Sequence, residues 1–244
     1  MKPSVANYLL EKVKEDYNEI AEDFAKTREK LWPEILFFKN YIKKGERILD
    51  IGCGSGRLFG LFKEKDIEYF GIDFSKKMIE IAKRKYLSSE NEGNKNLNIL
   101  PTFIVVDALQ LPFEEDFFDR VFSIAVFHHI PSEEKRLLFL KEIKRVLKRE
   151  GEVYLTVWNL WQRKYILKIL KSAIKKMLGK SNLDFCDIFV PFGNRERYYH
   201  CFRKKEILGL FKEAGFEIKE IKKLKRNGRV VNIYIRAKKK LIEE

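Results

Sequence analysis

The 244-residue chain predicts an α/β fold: a mostly parallel seven-stranded sheet with helices on both faces and an antiparallel hairpin at the C-terminal end. Three observations predict it. Short apolar runs alternate with stretches of helical period. A glycine-rich turn, LDIGCGSG (49–56), joins the first such run to a helix. Late in the chain, Asn227-Gly228 separates two alternating segments, the signature of a hairpin turn.

Two helices come first. One spans roughly 7–24, with Tyr8, Leu9, Val13, Tyr17 and Ile20 at helical spacing; the other spans about 33–43 and is opened by Pro33. Strands follow at 46–52, 67–73, 102–108, 119–127 and 151–158. Between them lie a helix from the glycine turn to about 65, a helix over 75–86 capped by Ser75, a polar loop at 88–98, and a helix from Ser132 to about Lys148. A helix over about 204–214 ends at Gly215, and FEIKEIKKLKR and VVNIYIRAK complete the sheet. No repeat or Pro/Ser-rich linker appears. The expected organisation is therefore one domain, 1–244, with a helical cap at 1–43 and a basic insertion at 159–202.

Residues 1–159 hold 27 Lys+Arg against 27 Asp+Glu, whereas 160–244 hold 23 against 9, so the whole excess of +14 lies in the last third. A neutral half joined to a basic half points to an anionic partner. Cys53, Cys186 and Cys201 are odd in number and lack metal-site spacing; no disulfide framework and no metal site is expected, and a reducing cytoplasm suits them. No stretch is long and apolar enough to span a bilayer, and no stable membrane association is expected.

In the glycine turn, Gly52, Gly54 and Gly56 allow a tight bend and the close approach of a ligand. The next strand ends in Asp73, placed to hydrogen-bond a ribose diol, and the third ends near Asp107, an acceptor for an exocyclic amine. The loop reads G-x-G-x-G after an acid, Asp50, rather than the dinucleotide pattern G-x-G-x-x-G. Together with GIDFS (71–75), VVDALQLPF (105–113) and RVLKREGEVYLTVW (145–158), it resembles the Rossmann-like class I S-adenosylmethionine-dependent methyltransferases. That resemblance implies S-adenosyl-L-methionine as cofactor. It puts the three glycines beside the methionine moiety, Asp73 on the ribose and Asp107 with Ala108 at the adenine, and counts Asp50 and Phe74 among the cofactor-binding residues.

The acceptor leaves weaker traces. The fourth strand is followed by AVFHHI (125–130) rather than the Asn/Asp-Pro-Pro stretch usual in exocyclic-amine methylases, and no cysteine is placed as a carbon-5 nucleophile. His128 or His129 could serve as a base, orient a carboxylate, or cap the helix that follows. A carboxylate acceptor is already ionised and needs no base. DIFVPFGNRERYYHCF (187–202) is either a core strand with a turn or a surface that holds substrate.

Several segments sharpen the resemblance: VKEDYNEIAEDFAKTREKLWPEI (13–35), SIAVFHHIPSEEKRLLFLKEIKRVLK (123–148), DIFVPF, and RYYHCFRKKEILGLFKEAGF (197–216). They look like the tRNA wobble-uridine carboxymethyl methyltransferases, which esterify a 5-carboxymethyl group in the anticodon. The glycine loop departs from that family, reading CGSGRLFG where CGNGKY is frequent, as does Arg149-Glu150-Gly151 in place of a Pro-Gly-Gly turn. The family implies Arg28, His128 and Tyr198 near the carboxylate and Tyr17 at the cofactor. It implies Trp32, His129, Trp158, Arg195, Arg197, Tyr199 and His200 on the substrate side, where aromatic faces could stack a splayed base and arginines could hold phosphate. It also implies the tRNA anticodon loop and a small zinc-binding activator protein as partners. The rival readings are a small-molecule O- or N-methyltransferase with His128 as general base, and a silent cofactor-binding protein that holds RNA. The insertion helix WQRKYILKILKSAIKKMLGK (161–180) is expected to dock through Ile166, Ile169/Leu170, Ala173/Ile174 and Met177/Leu178, offering Lys164, Lys168, Lys171 and Lys175 outward.

Overall fold

The computed structural model describes residues 1–88 and 99–240; most of the polar loop expected at 88–98 lies outside the described residues. The N-terminal helical segment comprises α1 (Pro3–Glu19), α2 (Ala21–Lys26) and a 3-10 helix, Pro33–Tyr41. The expected helix over 7–24 thus starts earlier, with Pro3 in its first turn, and breaks at Ile20 (φ −88°, ψ 3°). The chain then runs through β1 (Arg47–Ile51), α3 (Phe59–Phe62), β2 (Glu68–Asp73), α4 (Lys76–Leu87), β3 (Thr102–Val105), β4 (Phe118–Ile124), α5 (Glu133–Val146) and β5 (Leu147–Trp158). It continues as α6 (Arg163–Met177), β6 (Asp187–Phe192), β7 (Arg195–His200), α7 (Lys204–Glu213), β8 (Phe216–Arg226) and β9 (Arg229–Lys239).

Seven strands form one sheet in the order β3-β2-β1-β4-β5-β9-β8. The first five run parallel, while β9 is antiparallel to β5 and to β8. Asn227 (φ 49°) and Gly228 (φ 75°) make the turn between β8 and β9, as the dipeptide predicts. Successive side chains alternate between two cores. Val121, Val153, Leu155 and Ile235 pack with α5 and α7, whereas Phe122, Tyr154 and Tyr234 pack against the 3-10 helix, α3 and α4. Ser75 caps α4, accepting from the Met78 N–H at 3.3 Å, and Ser132 caps α5 through the Lys135 N–H at 3.3 Å. The parallel order reverses beside β1, so a crevice opens outside the carboxyl ends of β1 and β4. No helix among the described residues is long and apolar enough to cross a membrane.

Beyond the break at Ile20, the helix expected over 33–43 is a 3-10 helix, and three further parts of the chain differ from expectation. The helix after the glycine turn is only Phe59–Phe62, with turns before it. β6 and β7 form a separate two-stranded sheet that pairs Asp187 with His200 and Phe192 with Arg195, so 187–202 is a hairpin outside the main sheet. The helix α6 buries only Tyr165 and Ile169 on a small cluster with Leu160, Ile188, Val190 and Tyr199. Leu167, Leu170, Ile174, Met177 and Leu178 are exposed, so most of the expected docking face is left uncovered.

Candidate active site

The crevice at the carboxyl ends of β1, β2 and β4 is closed on its open side by α1, α2 and the segment before the 3-10 helix. The result is a pocket of about 1090 Å³, counting its solvent-filled mouth. Of the residues singled out from the sequence, Tyr17, Arg28, Trp32, Gly52, Gly54, Asp73, Phe74, Asp107, Ala108, His129 and Trp158 all line it. They come from segments scattered between the first helix and the fifth strand.

At the β1 turn, Gly52 (φ 70°) and Gly54 (φ 55°) are left-handed, which L side chains resist. Nothing lies within 4 Å of where a Gly54 Cβ would point, leaving a cradle for a ligand. The Asp73 carboxylate accepts from the Gly54 N–H at 3.0 Å and from the Ser75 N–H at 2.9 Å. Burial pushes its pKa up to about 6, against the pull of the backbone N–H groups of Ser75, Gly54 and Phe74. Asp107 accepts from the Leu109 N–H at 2.9 Å through one oxygen. Asp50 does not line the pocket: it is buried behind the turn and accepts from the Tyr69 hydroxyl at 2.6 Å. Burial outweighs that bond and pushes its pKa up to about 7. Gly56 also lies off the pocket, where a Cβ would meet the rings of Phe103 and Tyr86 at 2.9 Å.

The two histidines separate. His129 faces the pocket, with Nδ1 2.8 Å from the Tyr198 carbonyl and Nε2 2.8 Å from the Tyr17 hydroxyl. A carbonyl only accepts, so Nδ1 carries the proton and Nε2 accepts from Tyr17. The Tyr17 oxygen in turn accepts from Arg197 Nη1 at 3.2 Å. Burial and then Arg197 push the His129 pKa down to about 3, leaving a neutral ring of one tautomer. His128, expected at the acceptor, instead turns into the core. Its Nδ1 accepts from the Trp158 N–H at 3.2 Å and its ring stacks on Tyr199 at 5.0 Å. The 3-10 turn Phe127–His129 makes this choice, since adjacent residues in so tight a turn point in different directions.

The hairpin residues are placed differently from expectation as well. The Tyr198 side chain points away from the pocket; its hydroxyl donates to Asp187 at 2.9 Å and accepts from Arg136 at 3.3 Å. Tyr199 is fully buried against both His128 and Trp158, and the two ring nitrogens of His200 bridge Asp187 and Glu206, each at 2.7 Å. Arg195 pairs with Glu19 on the surface. Arg197 stands behind Tyr17, only 2% exposed. Alternation along β7 explains the split: Arg197 and Tyr199 lie toward Tyr17 and His128, whereas Tyr198 and His200 turn to the buried Arg136 cluster. Sequence reasoning missed Arg57, which lines the pocket with its guanidinium 3.8 Å from the Trp32 ring centroid. Its signal was a charged residue directly after the third glycine.

A glycine turn that leaves a ligand-sized cradle, a buried acid at the end of the second strand and an acid after the third define the cofactor pocket of an S-adenosylmethionine-dependent methyltransferase. The residues fit that cofactor: the cradle at Gly54 is open, the Asp73 carboxylate is held in place, and a buried Arg57 donor is unfilled. Comparison with known proteins agrees. Residues 49–155 match the family model described as a methyltransferase domain. The tRNA (carboxymethyluridine(34)-5-O)-methyltransferase of Schizosaccharomyces pombe is 31% identical over 229 residues, covering 87% of this chain and 92% of that protein. A crystal structure of an S-adenosylmethionine-dependent methyltransferase from Methanosarcina mazei superposes with a TM-score of 0.71 at 26% identity, over 87% of this chain and 100% of that one. A Haloferax volcanii methyltransferase, solved in complex with the Trm112 methyltransferase activator, shares the fold with a TM-score of 0.61 at 18% identity, over 95% and 99% of the two chains. The chain belongs to the family of tRNA carboxymethyluridine methyltransferases. It spans only 20% to 31% of the length of the first animal and plant relatives it matches.

Proposed function

We propose that this chain methylates the carboxylate of a 5-carboxymethyl-type uridine at the wobble position of tRNA, forming an ester. S-adenosylmethionine, when bound, supplies an electrophilic methyl carbon on a sulfonium. The protein's task is to hold that methyl in line with the acceptor oxygen and to exclude water. One observation carries the reading: the pocket's imidazole, His129, is neutral, and both its nitrogens are already committed to Tyr198 and Tyr17. Such a ring takes no proton from an acceptor, which suits a carboxylate and disfavours a small-molecule enzyme that needs a general base. Arg28 at the pocket would face the acceptor carboxylate, with Tyr17 and His129 as positioning groups and Trp158 as part of the wall.

On this reading Asp73 takes the ribose hydroxyls, Asp107 and Ala108 the adenine, and Gly52 and Gly54 the methionine end, while Asp50 stays behind the turn on the Tyr69 hydroxyl. The anticodon loop would approach past the basic insertion, whose Lys164, Lys168, Lys171 and Lys175 lie on the exposed side of α6. A small activator protein is the further partner in this reading, and three free cysteines suit a cytoplasmic setting.

Alkali distinguishes the products. With labelled S-adenosylmethionine and tRNA lacking the modification, the expected label leaves as methanol under mild base, because an ester hydrolyses and base, ribose or amine methyls do not. Alkali-stable label on tRNA would keep the substrate and refute the ester, whereas label on small molecules alone would favour the rival enzyme.

Cofactor affinity should also depend on pH. Hydroxyls donating to Asp73 need its ionised form, and its raised pKa, about 6, means that protons compete for it within the working range. Affinity for S-adenosylhomocysteine should therefore be level above pH ~7 and fall by up to roughly tenfold per unit below pH ~6. Calorimetry from pH 8 to 5 measures this, and Asp73→Asn should flatten the profile. A wild-type affinity that does not change over that range would remove Asp73 from the ribose.

A further inference from the structure

The turn end of the β8–β9 hairpin carries a dense positive charge: KEIKKLKRNGR (219–229) holds six Lys/Arg against one acid. The nearby carboxylates are already taken. Glu220 pairs with Lys222 at 2.8 Å, and the buried Glu34 of the 3-10 helix holds Arg226, with Nε 3.0 Å from Oε2. Lys223, Lys225 and Arg229 are exposed, and among the described residues no carboxylate pairs with them. Their position matters as much as their charge. The last β5–β9 pair joins Asn232 to Trp158, which lines the pocket. From there β9 runs on to Arg229, about 10 Å at the rise of a strand, so the ribbon stands past the carboxyl end of β5 beside the mouth. Arg226 lies 4.7 Å from the ring centroid of Trp32, another wall of the pocket. The Asn159 N–H donates to the Val231 carbonyl at 2.9 Å, and the Gln162 side chain reaches the Val230 carbonyl at 3.4 Å. These bonds bring the start of α6, with exposed Arg163 and Lys164, against the same ribbon.

We propose that the tip of this ribbon, with the start of α6, holds the sugar-phosphate backbone of the tRNA whose wobble uridine enters the pocket. The inference rests on the tRNA reading and adds to it the surface that grips the rest of the anticodon arm. A single small anion calls for donors that converge on one point. Here Lys223, Lys225, Arg229, Arg163 and Lys164 are strung along a rim, an arrangement that matches a chain of phosphates. No large apolar side chain of β8 or β9 is exposed, which leaves the ribbon without an anchor for a lipid interface or an apolar protein surface. Arg226 is held by Glu34 and fixes the ribbon to the body of the protein, so it is not counted among the phosphate contacts. Contacts of this kind set orientation without reading sequence; the ribbon positions the RNA while the pocket selects the base.

The test measures affinity for tRNA lacking the modification, by filter binding from about 50 to 200 mM salt. Combining Lys223→Gln, Lys225→Gln and Arg229→Gln should take about 2 to 3 off the slope of log affinity against log salt, since each phosphate contact contributes roughly 0.7–0.9. At ~100 mM salt the same variant should bind roughly 10- to 100-fold more weakly, while holding S-adenosylhomocysteine as the wild type does. A matched variant, Lys43→Gln with Lys44→Gln and Lys63→Gln, removes equal charge from the segments that precede β1 and β2, at the other end of those strands from the pocket. Its slope should change by less than about one contact's worth. An unchanged slope in the ribbon variant, or equal losses in the two variants, would refute the ribbon's role. So would a ribbon variant that keeps its tRNA affinity and instead loses binding to phosphatidylglycerol vesicles, which would assign the surface to lipid. Should the triple variant fail to bind S-adenosylhomocysteine, Arg229→Gln alone is judged by its slope, with a loss near ~0.7–0.9 expected. A wild-type chain that binds no tRNA at low salt would overturn the tRNA reading together with the ribbon's role, a failure visible before any variant is made.

Discussion

Replacing Arg136 with methionine will cost the fold about 3–5 kcal/mol, the range for removing one partner from a buried charged cluster. Arg136 is 2% exposed and stands among Asp187 (0% exposed), Glu206, Tyr198 and His200. Its Nε donates to the Ile130 carbonyl at 3.0 Å and its Nη2 to the Tyr198 hydroxyl at 3.3 Å. Asp187 also accepts from Tyr198, from His200 at 2.7 Å and from the Asp184 N–H at 2.9 Å. Methionine fills similar space but leaves two carboxylates without their guanidinium and a carbonyl without its donor. The effect should reach the pocket, because the same hairpin supplies the Tyr198 carbonyl that sets the His129 tautomer. Urea denaturation should show a lower midpoint at unchanged slope. A loss below about 1 kcal/mol would mean that the remaining donors satisfy Asp187 without Arg136.

Gly52→Ala should be the most damaging of the small changes in the glycine turn, costing about 2–5 kcal/mol and most of the cofactor affinity. Two penalties combine. A left-handed L residue costs roughly 1–2 kcal/mol, and overpacking a filled site costs roughly 1–3 kcal/mol. A methyl on Gly52 would overlap Val126 Cγ2 and press on Cγ1 at 3.1 Å. Val126 cannot retreat freely, since it opens the 3-10 turn that aims His129 into the pocket. Gly54→Ala is the matched control: its φ of 55° carries the backbone penalty alone, because nothing lies within 4 Å of the added atom. Gly54→Ala should therefore cost only about 1–2 kcal/mol in thermal or urea unfolding, yet still impair ligand binding by filling the cradle. Equal unfolding losses in the two variants would refute the steric account.

Much of this architecture was legible from local chemistry. The alternation of β-branched runs with capped helices, the turn at Asn227-Gly228 and the acid at the end of β2 are all written in short windows, and each lies where those windows predict. The glycines of 52–56 announced left-handed backbone, and Asp73 announced a carboxylate at the carboxyl end of a strand. Where reading the sequence fell short, the deciding contact came from far along the chain. His128 and His129 are equivalent by composition, and the tight turn separates them, with Tyr17 on α1 and the Tyr198 carbonyl on β7 holding one at the pocket.

The same holds for the hairpin and α6. Residues 187–202 are neither a core strand of the main sheet nor an open platform. They form a separate two-stranded sheet whose Tyr198 and His200 are absorbed by Arg136, Asp187 and Glu206. Helical period marked an apolar face on α6 but not how much of it a partner surface would cover. Arg57 was visible only as a charge after a glycine; its unfilled donor exists because the fold brings Arg28 and Trp32 to it without a carboxylate. The sequence alone therefore determined the sheet, the order of its elements and the cofactor turn, since these follow from side-chain period and backbone propensity within a few residues. Tertiary structure alone decided which histidine faces the pocket, which hairpin aromatics become core and which arginines stand unpaired, because burial and hydrogen bonding are properties of neighbours distant in the chain.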